Sequence, residues 1–300
     1  MQYINQRKLF FVSISLLIAF NPLSNIMAGD LDVTQCDNLA AHPDDPKKLV
    51  KGVAWAQLDA MAALDACSLE INRQPSNARI QYQYARTLDK QELYNEAVAW
   101  YQKAAQQGYA AAQNSLGYAY EWGQGIAMNM QDALRWYRKA AEQGHSQAQN
   151  NLGTMYDHGK GVDNNEKQAT YWYQKAAEQG NSNAQRNLGL MYSKGAGGVK
   201  QNDKTAFQWY LKAASQENPH AQYSVGMSYF YGKGVESDQN KARIWFDKAA
   251  KNGNYQALEA LSQIQFKQAY CSSQNAKPGN NNLKSNSIAI RKLSVSQICP

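Results

Sequence analysis

Apolar residues recur along most of this chain with the period of a helix, and the helical stripes themselves recur. Between 129 and 161 a first stripe carries Ala133, Trp136, Tyr137, Ala140 and Ala141 at i, i+3, i+4, i+7 and i+8. That spacing is one buried helix face. Gly144 follows, where a left-handed C-cap is needed. A second stripe carries Ala148, Leu152 and Tyr156, and Gly159 and Gly161 then turn the chain back. Asn129 stands at the N-cap position of the first stripe, and Asn165, Asn202 and Asp238 hold the same place in later copies. The unit is a helical hairpin.

The hairpin repeats. Lys-Ala-Ala occurs at 103–105, 139–141, 175–177, 212–214 and 248–250, in steps of 36, 36, 37 and 36 residues. Trp100-Tyr101, Trp136-Tyr137, Trp172-Tyr173, Trp209-Tyr210 and Trp245-Phe246 keep the register, as do Leu116-Gly117, Leu152-Gly153, Leu188-Gly189 and Val225-Gly226. The extra residue lies in the loop Gly195-Ala196-Gly197-Gly198-Val199. A helix-interior glycine costs about 1 kcal/mol against Ala. Its return in one slot therefore predicts close approach of the two helices, with a Trp or Tyr ring over the gap. Gly108, Gly180 and Gly253 match Gly144, and Glu217 breaks the pattern. One hairpin cannot bury its stripe alone, so the units are predicted to stack into an all-α, right-handed α/α solenoid with a concave surface.

These residues carry a resemblance. A-x-x-x-L-G-x-x-Y-x-x-G-x-G-V, followed about eight residues later by A-x-x-W-Y-x-K-A-A-x-x-G, resembles the Sel-one-like repeat (SLR), a relative of the tetratricopeptide repeat (TPR). In that register four copies fall at 110–145, 146–181, 182–218 and 219–254. Residues 36–109, with Cys36 to Pro43 and Ala66-Cys67, resemble a leader found before such repeats in exported bacterial proteins. The expected organisation is a signal peptide at 1–28, an N-terminal extension with Cys36 at 29–57, a TPR-like helical hairpin and following helix at 58–109, the four repeats, a capping helix at 255–270 and a basic, Ser/Asn-rich tail at 271–300. The resemblance implies a non-catalytic adaptor in envelope signalling, wall-enzyme control or host interaction.

Composition refines this. Arg7 and Lys8 precede the apolar run from Leu9 to Phe20, and Ala28 offers a small-residue cleavage site. The run is short for a bilayer core of ~30 Å, so no stable span is expected after cleavage. The destination is the periplasm or the medium of a bacterium. Loss of Arg7 and Lys8 lowers the net charge of +7 to +5. Lys277, Lys284, Arg291 and Lys292 put four of those charges in the tail, which has no acid. A basic stripe for nucleic acid would run along a helical face, so nucleic acid is not an expected partner, and a peptidoglycan or anionic-polymer contact of the tail is the alternative. The four cysteines, Cys36, Cys67, Cys271 and Cys299, read as disulfides in an exported chain. Three connectivities are open. Local pairing closes two loops of about thirty residues, and a Cys271–Cys299 bridge would hold residues 287–298 as a flap over the last helix.

No chemistry-bearing constellation stands out. His42, His145, His158 and His220 show no i, i+4 metal spacing, and each reads as solvated or capping. The Gly-x-Gly loops follow helices, lack a third glycine and recur as repeat punctuation. No metal or cofactor is expected. Cysteine-rich relatives linked to β-lactam hydrolysis bridge each repeat, whereas this chain has no Cys from 68 to 270. It also lacks a Ser-x-x-Lys with its partner motifs. The better functional signal is variation between copies: Arg138 between Trp-Tyr and Lys-Ala-Ala; Trp122, His158, Lys194 and Tyr231 before the glycine loops; Asn114, Asn150, Arg186 and Tyr223 early in the second stripe; and Tyr118, Tyr171, Phe207 and Phe230 besides. Aromatic and Arg side chains anchor peptides in grooves. Arg138, Arg186, Trp122 and Tyr231 are the candidate contacts for a protein or peptide partner of a monomeric scaffold.

Overall fold

The computed structural model describes residues 33–264 except 44 and 46. The expected signal segment, the tail with Cys271 and Cys299, and residues 265–270 of the expected capping helix lie outside the described residues. A short helix α1 (Gln35–Ala40) and α2 (Ala60–Arg73) come first. Five hairpins follow: α3 (Ala78–Lys90) with α4 (Tyr94–Gln106), α5 (Ala110–Trp122) with α6 (Met130–Glu142), α7 (Ser146–His158) with α8 (Glu166–Glu178), α9 (Ser182–Lys194) with α10 (Asp203–Ala214), and α11 (Pro219–Tyr231) with α12 (Gln239–Lys251). Residues 255–264 are again helical. Among the described residues there is no strand, and the hairpins stack in chain order as a right-handed solenoid.

Side chains fix the helix ends. Asn129, Asn165, Asn202 and Asp238 cap α6, α8, α10 and α12 by accepting backbone N–H bonds. The even helices stop at left-handed residues, glycine at 108, 144, 180 and 253, and at the exceptional place Glu217 with φ 61°. The second glycine of each Gly-x-Gly loop has a further reason. A Cβ on Gly161 would lie 2.6 Å from the Met130 carbonyl oxygen, so the loop closes directly over the start of α6.

The interior glycines mark helix contact. A Cβ on Gly117 would lie 2.7 Å from the Tyr137 ring, and Gly153, Gly189 and Gly226 meet Tyr173, Tyr210 and Phe246 in the same way. The second aromatic of each pair therefore fills the gap inside its own hairpin. The Trp does a different job. Trp136, Trp172, Trp209 and Trp245 each pack against the core of the preceding hairpin. In four copies the Lys of Lys-Ala-Ala lies over the Trp face, at 3.7 Å for Lys103 on Trp100 and 4.1 Å for Lys212 on Trp209, while Lys175 lies over Tyr171 instead. Buried glutamines complete the joints. Gln149 donates to the Ala141 carbonyl and accepts from Gln179; Gln113 and Gln185 do the same with Ala105 and Gln143, and with Ala177 and Gln216.

The N-terminal end is closed by non-repeating residues. Cys36 and Cys67 form a disulfide between α1 and α2. Buried Asp37 caps α1 with Thr34, pairs with Arg79 and accepts from Gln83 at 2.8 Å. Arg86, fully buried, donates to the carbonyls of Ala40 and Ala41 at 3.0 Å each, and to that of Val53. Asp45 accepts from the Tyr109 hydroxyl. At the other end Ala257 and Ile264 bury against Ala242 and Phe246 of α12.

Candidate partner-binding groove

The odd helices form one wall. Asn151 donates to Asn114 at 3.1 Å, Asn187 to Asn150 at 3.2 Å, Asn181 to Gln147 at 3.1 Å and Asn218 to Asn183 at 2.8 Å. These bonds run between α5, α7, α9 and α11, skipping the even helix each time, so the odd helices make one continuous face. The wall is an array of amides whose spare donors and acceptors suit a peptide backbone.

Tyrosines from the even helices reach the same wall. Tyr101 donates to Asp89 at 3.0 Å, Tyr137 to Glu121 at 2.9 Å, and Tyr173 contacts Thr154 at 3.3 Å and Asp157 at 3.4 Å. Burial first, and the neighbouring carboxylate second, push the Tyr101 and Tyr137 phenols well above their ordinary range. These hydroxyls therefore act as donors, not acids. Lys160 pairs with Glu121 at 2.8 Å. In the next two units Ser193 and Phe230 replace the carboxylate. The wall thus changes along its length, from Asp89, Glu121 and Asp157 to Arg186, Met227 and Phe230.

Two cavities open along it. One of about 180 Å³ is lined by Asp89, Tyr101, Asn114, Tyr118, Gln124 and Asn151, among others. The other, of about 240 Å³, is lined by Tyr223, Met227, Phe230, Tyr231, Phe246 and Glu259, among others.

Of the four residues singled out from sequence, three stand on the odd helices. Trp122 ends α5 and is 63% exposed, its ring centre 6.1 Å from that of Tyr118 and 5.6 Å from the Lys160 ammonium. Tyr231 ends α11, 61% exposed and edge-on to Phe230. Arg186 lies between them on α9 and donates to Asn187 at 3.1 Å. Arg138 stands apart, on the even helix α6, where it donates to the Tyr156 hydroxyl at 2.8 Å. Of the extra aromatics, Tyr118 and Phe230 line the two cavities, while Tyr171 and Phe207 belong to even helices and meet Trp172 and Tyr229 edge-on. Asn114 and Asn150 stood out in the sequence as positions that vary between copies, but their pairing with Asn151 and Asn187, the tyrosine–carboxylate contacts and Lys160 were not read from it. The recurring Ala-Gln of 112–113, 148–149, 184–185 and 221–222 was the one signal pointing to the glutamine joints.

The histidines are spread out. His145 is buried and accepts the Ala148 N–H at 3.2 Å, while His158 contacts the Thr154 carbonyl and His220 contacts Asn254. Among the described residues no three His, Cys, Asp or Glu side chains converge as metal ligands, and no helix is long and apolar enough to cross a membrane.

A stack of hairpins with an amide-lined wall of odd helices defines a helical-repeat scaffold. The family profile described as Sel1 repeat matches residues 88–109, 110–145, 146–181, 182–218 and 219–254, so the chain belongs to the Sel1 repeat family. It is similar to a Sel1 repeat protein from Oxalobacter formigenes, at 33% identity and TM-score 0.63, over 76% of this chain and 94% of that one. It is also similar to c5321, a protective antigen with an SLR fold present in uropathogenic Escherichia coli strains. That match has 33% identity and TM-score 0.60, over 71% of this chain and 46% of the other. No curated protein matches the chain significantly. Sel1 repeat proteins are generally non-catalytic protein-interaction scaffolds.

Proposed function

We propose that the chain is an exported adaptor that holds an extended segment of a protein partner along the wall formed by α5, α7, α9 and α11. The observation that carries this reading is the asparagine array of Asn114, Asn150, Asn151 and Asn187, flanked by exposed Trp122 and Tyr231. An amide array satisfies a peptide backbone in any sequence, and aromatic side chains at its ends supply anchoring area. The Cys36–Cys67 disulfide supports an oxidising compartment. Envelope signalling, wall-enzyme control and host interaction all fit such an adaptor.

The test is crosslinking in the native cell with tagged full-length chain, followed by mass spectrometry of envelope and medium. Trp122→Ala and Arg186→Ala should each remove the recovered protein, with Arg138→Ala on the even helix α6 as the control that leaves it. Recovery unaffected by Trp122→Ala and Arg186→Ala would move the site off this wall. Binding to purified sacculi that depends on residues 271–300 would favour an envelope-polymer role instead.

A further inference from the structure

We propose that the cavity walled by α3, α4, α5 and α7 receives a cationic side chain, a lysine ammonium in the first place, from the peptide segment held in the groove. This rests on the groove reading above and names one position of the partner.

The chain carries its own precedent one repeat further on. There Glu121 accepts from the Tyr137 hydroxyl at 2.9 Å on one oxygen and from the Lys160 ammonium at 2.8 Å on the other. Asp89 has the same tyrosine, with the Tyr101 hydroxyl at 3.0 Å. Its counterpart of Lys160 is Gln124. The two residues occupy the same backbone position, each donating its N–H at 2.9 Å to the carbonyl five residues back, Met155 for Lys160 and Ala119 for Gln124. Gln124 lines the cavity and is neutral. Among the described residues Asp89 makes no ion pair, and the two terminal nitrogens of the nearby Arg86 donate to the carbonyls of Ala40, Ala41 and Val53 rather than to Asp89. The carboxylate thus has its tyrosine donor and lacks its cation.

The rest of the lining suits that occupant. Tyr94 and Tyr118, the latter 48% exposed, supply faces for an aliphatic stem and an ammonium, as Trp122 does for Lys160 at 5.6 Å. Asn114, Ser115, Gln147 and Asn151 also line the cavity and offer groups for the adjoining backbone. Burial pushes the Asp89 carboxyl above its usual value, against the pull of Tyr101 and Arg86. An arriving ammonium relieves that penalty. The equivalent Asp157 differs, since it has His158 at 3.9 Å and lines neither groove cavity.

Two measurements on the full-length chain test this. Gln124→Lys supplies the ammonium from within, as Lys160 does. It should raise Tm in the native background and not in Asp89→Asn, and it should lower the Asp89 titration midpoint seen by NMR. Additive effects of the two substitutions, with an unmoved midpoint, would mean the cavity takes no ammonium. The second measurement is phage selection of 12-residue peptides on the native chain. Selected peptides should share a Lys or Arg. Their affinity should fall about tenfold or more on Asp89→Asn, on Gln124→Lys, or when that residue is replaced by methionine. Peptides weakened by Trp122→Ala but indifferent to Asp89→Asn and Gln124→Lys would overturn the cation site and leave the groove. Peptides indifferent to all three, or a selection yielding none, would remove both.

Discussion

Gly117 shows how one residue sets a helix distance. Its backbone would be more helical as Ala by about 1 kcal/mol, yet the missing Cβ is what lets the Tyr137 ring lie against α5. Tyr137 is buried and tethered through its hydroxyl to Glu121, so its ring has nowhere to retreat. Gly117→Ala is predicted to destabilise the chain by about 1–3 kcal/mol through overpacking, against its helix propensity. Urea unfolding of the full-length protein measures this, and an unchanged or raised midpoint would mean the ring moves aside freely. The close approach was legible because the glycine returns at 117, 153, 189 and 226. Which aromatic filled it was not, since Trp136 and Tyr137 are neighbours and differ only by their angle around α6. Tyr137 points into its own hairpin and Trp136 toward the preceding one.

At the scale of the helix, the caps of the even helices were readable as Asn129, Asn165, Asn202 and Asp238 because one residue type recurs. The starts of the odd helices use Tyr109, His145, Asn181 and Asn218, and that variety hid the shared place. The buried glutamines were missed for a related reason: an uncharged polar residue beside an apolar stripe reads as exposed until its partners are known. His145 carries a measurable consequence. Burial lowers its pKa to about 4 from an ordinary 6.5, and its Nδ1 accepts the Ala148 N–H as a neutral ring must. As pH falls from 6.5 toward 4, the unfolded chain takes up a proton that the folded chain refuses, so stability is lost on acidification and intact at higher pH. The loss attributable to this residue is about 2 kcal/mol at pH 5. His42, half-buried and lowered to about 3 by desolvation first and by the nearby Arg86 charge second, adds to it with the same sign. His145→Asn keeps the cap, since Asn181 and Asn218 serve the same place through Ala184 and Ala221. It should flatten the part of the slope due to His145, as urea unfolding at pH 7.5 and pH 5 would record. An unaltered slope would place the titration elsewhere.

Across the molecule, each hairpin touches its neighbours in sequence, so stability propagates along one dimension and the ends decide where it frays. The N-terminal closure could not be read from the repeat, because Asp37, Arg86 and Asp45 are single residues without copies. Its extent was signalled by the resemblance of residues 36–109 to a leader and its staple by Cys36 and Cys67, with the pairing open. In the structure α1 and α2 pack on α3, which itself pairs with α4, and the disulfide ties them across 31 residues. In the chain-entropy description a loop of that length contributes about 3–4 kcal/mol. Cys36→Ser with Cys67→Ser should therefore lower stability by about that amount. The loss should be local: hydrogen exchange should quicken through α1, α2 and α3 while α9 to α12 keep their protection. The Asp89 cavity lies at the end of α3 and the Tyr231 cavity on α11. If fraying stays local, peptide contacts at Asp89 weaken in the serine variant before those at Tyr231. If exchange instead quickens evenly from α1 to α12, the hairpins are coupled strongly enough to melt as one unit. In that case the staple governs the whole groove, and reduction of one disulfide would release a bound partner from both ends together.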